Sequence, residues 1–102
     1  MHTITKTQTR PSVSVAFWTN QGIAAETFVH IGQNHQHNVL DSETTISEDG
    51  LTLTKTTVWA SKEALDNFMS DPVVVNNLIN KCHAYMQENN ITYTTGFEEE
   101  TP

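Results

Sequence analysis

Apolar side chains first gather after Pro11, where Val13, Val15 and Phe17 alternate with Ser14, Ala16 and Trp18. A period of two is that of a strand whose successive side chains point to opposite faces, so Ser12 to Thr19 is predicted as the first strand. Apolar bulk on both sides of its end predicts a central strand covered on two faces. The ten residues before it set threonines against Ile4, Lys6 and Gln8. They hold no apolar run of signal-peptide length and read as a polar leader.

From Asn20 the period lengthens. Ala24, Phe28, Ile31 and His35 follow at spacings of four, three and four, which predicts a first helix with Asn20 as its cap and a soft end in Gln33 to Asn38. Thr44 to Ser47 is short and β-favouring, Asp49-Gly50 is a two-residue turn signal, and Leu51 to Trp59 is a long alternating run, so the three predict a hairpin. In its second strand Leu51, Leu53, Lys55, Thr57 and Trp59 share a face opposite Thr52, Thr54, Thr56 and Val58.

Ser61 is placed to cap a second helix, with Glu63 in its first turn and an apolar stripe of Ala64, Leu65, Phe68 and Met69. Asp71-Pro72 breaks and restarts it, since proline suits the first helical position and aspartate the cap before it. Val75, Leu78, Ile79, Cys82 and Met86 carry the second piece as far as Asn89-Asn90. Ile91, Tyr93, Thr95 and Phe97 then alternate as a last strand before an acidic tail, Glu98 to Glu100. The boundaries implied are a leader at 1–10, a domain at 11–97 and a tail at 98–102.

Strand, helix, strand, strand, helix, strand is the ferredoxin-like βαββαβ order, an α+β class with two helices on one face of an antiparallel sheet. The other face needs a partner, and a second copy of the chain is the expected one.

Composition narrows the function. Five Lys plus Arg against twelve Asp plus Glu give a formal charge of −7. No basic stripe is present, which argues against nucleic acid and anionic membranes. A single cysteine, Cys82, excludes an intrachain disulfide and fits a cytoplasmic protein. No segment approaches the roughly 20 apolar residues of a membrane span.

The stretch Leu53 to Asp71, and within it T-V-W-A-S-K-E-A around Trp59, resembles the dimeric α/β-barrel proteins of the antibiotic-biosynthesis monooxygenase type. The resemblance implies two sheets closing across a homodimer and a pocket between each subunit's helices and its sheet. The superfamily so resembled includes cofactor-free quinone-forming monooxygenases, haem-degrading monooxygenases and small-molecule isomerases, and the first of these implies cofactor-independent oxygenase-like chemistry on a small apolar or aromatic molecule. The haem-degrading branch of that superfamily uses an asparagine on the first strand, a tryptophan in the second helix and a histidine farther along it. Here Phe68 stands at the tryptophan position and Asn77 at the histidine position, and the strand predicted first holds no asparagine, Asn20 following it directly. A haem would lack its axial ligand there, so no cofactor is expected.

The candidate pocket residues are Trp18, Phe68, Asn77 and His83, with the alternatives that Trp18 belongs to the dimer interface and that His83 sits at the edge of an apolar stripe. Trp59 reads as a packing anchor. His30, His35 and His37 form an H-x4-H-x-H run, but 35 and 37 diverge on a helix and no metal is expected from them. Lys55 and the threonines around it could place polar groups under the helices, but exposed β-surface is the simpler reading, and Cys82 has the period of a core residue rather than a reactive thiol. The competing reading of the whole chain is a non-catalytic dimeric module, structural or ligand-sensing.

Overall fold

The computed structural model describes residues 1–20 and 22–101. Four strands, β1 (His2–Thr9), β2 (Val39–Ile46), β3 (Thr52–Trp59) and β4 (Thr92–Glu100), form one sheet in the order β2-β3-β1-β4 with every neighbour antiparallel. Helix α1 (Ala25–Asn34) joins β1 to β2. Between β3 and β4 run α2 (Lys62–Ser70), α3 (Pro72–Val74) and α4 (Asn80–Glu88), the last two linked by a π-helical turn, Val75–Ile79. This is the expected ferredoxin-like α+β arrangement, and β1 and β3 are its central strands.

The first strand lies one segment earlier than predicted. His2–Thr9, expected as a leader, is β1, whereas 11–20 contains no strand. The alternation in β1 is regular, with Thr3, Thr5, Thr7 and Thr9 on one face, and threonine is a good strand former. Its inward face is largely polar (His2, Lys6 and Gln8 beside Ile4), so hydrophobicity does not reveal it. Buried Gln8 is satisfied by the following loop: its amide donates to the Trp18 carbonyl at 3.2 Å and accepts from the Trp18 N–H at 3.0 Å. Val13, the start of the predicted strand, is 66% exposed, while Phe17 is buried with the Arg10 guanidinium 4.1 Å from its ring centre. The apolar alternation of 13–17 is therefore that of a loop pinned at a few points.

Helix α1 also starts later than predicted. Asn20 has φ 66° in the preceding loop, and the residue before the helix is Ala24, which supplies no side-chain cap. The hairpin turn is longer than two residues: Ser47 to Leu51 connect the strands, with Asp49 accepting from the Ser47 hydroxyl at 2.6 Å and the Leu51 N–H at 3.0 Å. Gly50 takes the left-handed φ of 74° that this loop requires. The other two predicted caps form. Ser61 Oγ accepts from the Ala64 N–H and Asp71 Oδ1 from the Val73 N–H, each at 3.0 Å.

The last strand runs through the acidic residues expected as a solvated tail. Lys6 pairs with Thr95 but Thr5 with Phe97, so Gly96 is the extra residue of a bulge. The bulge turns Phe97 away from the helices and brings Glu98 and Glu100 to the face that carries His2. The His2 ring is nearly fully buried between them, Nε2 lying 2.7 Å from Glu98 and Nδ1 bonding Glu100. The Glu98 hydrogen bond is the main reason the imidazole titrates above its ordinary 6.5, against the opposing effect of burial. A raised folded-state value means the pair stabilises fully below pH 6.5 and less as pH rises through that value. The melting temperature of wild type relative to His2→Gln is therefore expected to decline between pH 6 and 9, read by circular dichroism; a constant difference would show that the ion pair contributes nothing.

The core between sheet and helices is built on Ile4, Trp59, Ala64 and Leu65, extended by Val39 and Phe68. The face away from the helices is threonine-rich, with Thr5 and Thr56 hydroxyls 3.2 Å apart across neighbouring strands and Phe97 49% exposed. Among the described residues no helix is long and apolar enough to cross a membrane.

Candidate functional site

Beside that core the side chains of helices and sheet leave a space unfilled. A cavity of about 770 Å³ lies between the helices and the sheet, within the size range of small-molecule sites. Its floor is the inward face of β1 and β3, including Ile4, Lys6, Leu53 and Lys55. Its roof comes from Ile31 of α1, Phe68 of α2 and the stripe Leu78, Cys82 and Met86. The π turn, which contains Leu78, shifts the helical register at the start of that stripe, and such turns recur at functional sites.

Trp18, Phe68 and His83 all line this cavity; Asn77 does not, being exposed on the π turn. Trp18 is held by the two Gln8 bonds on one side and by Tyr85 on the other, their ring centres 5.6 Å apart. The Tyr85 hydroxyl donates to the Ala16 carbonyl at 2.6 Å, so the loop after β1 closes one wall. Phe68 packs between Trp59 and His35, with ring centres 5.2 Å away on each side and the His35 ring edge-on. His83 is exposed at the mouth, 6.1 Å from the Tyr93 ring.

Three further groups line the cavity. Lys55 is exposed, as expected of β-surface, and borders the cavity on the face it shares with Leu53 and Trp59. Lys6 faces it too, hidden by the misplacement of β1. The third is His35. It is 7% exposed, lines the cavity, and its Nε2 lies 2.7 Å from Asp71 Oδ2. His30 Nε2 reaches the same oxygen at 2.6 Å, and the Asn34 amide lies 3.3 Å from His30 Nδ1. The two histidines, led by His35, hold the Asp71 carboxyl far below the usual carboxylate range.

His30, His35 and Asp71 present three ligating atoms within 4.8 Å of one another, a donor set suited to a divalent transition ion. Both histidines instead share one carboxylate oxygen through hydrogen bonds, which ties the end of α1 to the cap of α3. His37 lies outside the cluster, on a 3₁₀ turn at Gln36–Asn38. Cys82 is half-buried, and burial pushes its thiol up to about 11, which holds it protonated. Partial burial likewise raises the Tyr93 phenol, with a smaller contribution from Cys82.

No protein-family model and no curated protein matches the sequence. Solved structures do match the fold. A "putative antibiotic biosynthesis monooxygenase" from Deinococcus radiodurans superposes with TM-score 0.52 at 16% identity, covering 100% of this chain and 96% of its own. Rv0793 from Mycobacterium tuberculosis gives TM-score 0.46 at 14% identity, over 99% of this chain and all of its own. At such identities the likeness is one of fold: this chain shares the ferredoxin-like fold of the Deinococcus protein.

Proposed function

We propose that the chain binds a small aromatic molecule in the cavity under its helices and oxidises it with molecular oxygen, without a cofactor, as a homodimer. The cavity itself carries this reading. A module serving only as scaffold would fill the space between sheet and helices, as protein interiors normally do. Here about 770 Å³ stays open, walled by aromatic and aliphatic groups with a few polar ones.

Within that cavity the group suited to take a proton from a bound hydroxyl is His35. Asp71 holds its Nε2 at 2.7 Å, the arrangement that fixes an imidazole's tautomer and orientation. Proton removal would make an electron-rich ring that can pass electrons to oxygen. Pairing through the threonine-rich sheet face would cover Phe97 and give a particle of twice 11.4 kDa. The fold likeness to the Deinococcus protein supports the oxygenase class.

A ligand-sensing module is the second reading, favoured by the absence of any carboxylate from the lining and by the protonated state of Cys82. The two separate on oxygen uptake with a panel of hydroxylated naphthalenes and anthracenes, followed alongside product absorbance. Wild type is expected to consume oxygen with at least one compound, and His35→Gln to lower the rate about a hundredfold or more, the usual contribution of a general base. Binding of the panel without oxygen uptake would assign the sensing role. Light scattering at 11.4 kDa would remove the dimer.

A further inference from the structure

The chain has only five Lys and Arg, and two of them, Lys6 and Lys55, stand on the cavity floor. They are direct partners in the β1–β3 register, the two central strands. None of the twelve acidic residues of the chain lines the cavity. Like charges directly opposite on neighbouring strands destabilise a sheet. Lysines on edge strands protect against aggregation, but these two are central and face the helices, so that explanation does not apply. The Lys6 ammonium turns toward β4, donating to Thr95 Oγ1 at 2.8 Å and standing 5.6 Å from the Tyr93 ring centre. Lys55 makes no hydrogen bond or ion pair among the described residues, and Thr44 is its neighbour on the other side.

From this placement we infer that the cavity selects an anionic ligand: a flat apolar molecule bearing one acidic oxygen group, whose oxyanion seats between Lys6 and Lys55 while its ring lies against Phe68 and Trp18. The inference rests on the small-molecule reading of the cavity and deepens it to a substrate class. In a protein of net charge −7, a neutral ligand gains nothing from two lysines paired in register on the cavity floor, whereas an oxyanion can accept charge-assisted hydrogen bonds from both and relieve the repulsion between them. Lys6 is half-buried and Lys55 exposed, so the pairing is partly screened by water and sensitive to salt.

Two fluorescent dyes that differ by one charged group provide the test: 1-anilinonaphthalene-8-sulfonate, and its neutral counterpart N-phenyl-1-naphthylamine, each titrated into the intact protein. The sulfonate is expected to bind more tightly than the neutral dye. Lys6→Gln and Lys55→Gln should each weaken the sulfonate about fivefold, and the double variant more than tenfold, with the neutral dye unchanged. Raising the salt concentration on wild type should weaken only the sulfonate, an arm that needs no variant. Unfolded Lys55 variants would also count against the inference, since removing one of two facing like charges should leave the melting temperature equal or higher. Equal affinity for both dyes, with no salt or lysine dependence, would overturn the anionic class and leave the cavity reading intact. Failure of both dyes to bind would overturn both.

Discussion

Replacing Trp59 by alanine is expected to destabilise the fold by about 3–5 kcal/mol, the range for removing a buried indole from a core. Trp59 is 6% exposed, ends β3 and joins Ile4, Ala64 and Leu65 in the main cluster. Domains of this size hold on the order of 5–15 kcal/mol in all, so the variant should be marginally folded at best. Each kilocalorie lowers the melting temperature by about 4–8 °C at this length, and the shift should be well over 10 °C. Urea or thermal denaturation reads it directly. A loss under about 1 kcal/mol would mean that the indole is not the anchor its burial indicates. Trp59→Phe should recover much of the loss by keeping the ring against Phe68, whose centre is 5.2 Å away. Because Phe68 also supports His35 edge-on, Trp59→Ala should loosen the cavity roof and weaken dye binding as well.

The anchor was legible in the sequence because several local signals agreed on it. The alternation of 51–59, the Ser61 cap and the stripe after it each point to the same strand-to-helix corner, and Asp71-Pro72 marks the break that follows. The first strand was not legible because its signal lies in β-propensity rather than hydrophobicity. An inward face of His2, Lys6 and Gln8 resembles a leader until Glu98, Glu100 and the Trp18 backbone are known to satisfy it, and those partners lie 10 to 98 residues away in the chain. The Gly96 bulge is a similar case: one extra residue reverses the faces of Phe97 and Glu98, and strict alternation cannot anticipate it. Of the expected pocket, Trp18, Phe68 and His83 line the cavity, Trp18 from the loop after β1 rather than from the strand predicted for it. Lys6 was lost with its strand. His35 and Asp71 are 36 residues apart, and nothing in an H-x4-H-x-H run reveals that its real third member caps a helix.

That shared carboxylate makes Asp71→Ala the other substitution with a large expected effect. Asp71 does three things at once: Oδ1 caps α3 through the Val73 N–H, and Oδ2 accepts from both His30 and His35. Loss of the cap costs about 1 kcal/mol. His35, with only 8% of its side chain exposed, would be left with a buried unpaired N–H, worth about 1–3 kcal/mol more. The expected total is about 2–4 kcal/mol at neutral pH, measured by urea denaturation. Asp71→Asn should lie between, since an amide oxygen keeps one acceptor but not the charge. The pH dependence gives a signature that simple packing loss would not. The folded carboxyl titrates well below its ordinary 3.8, first because of the His35 hydrogen bond and then that of His30. Its contribution is therefore complete above that ordinary value and is lost as pH falls below about 4, so wild type and Asp71→Asn should converge in stability in acid. A difference between them that stays constant from pH 7 down to pH 3 would show that the His30–Asp71–His35 bridge is not what holds α1 to α3. If Asp71→Asn also slows turnover while ligand binding is kept, the same carboxylate positions His35 for proton transfer as well as stabilising the fold.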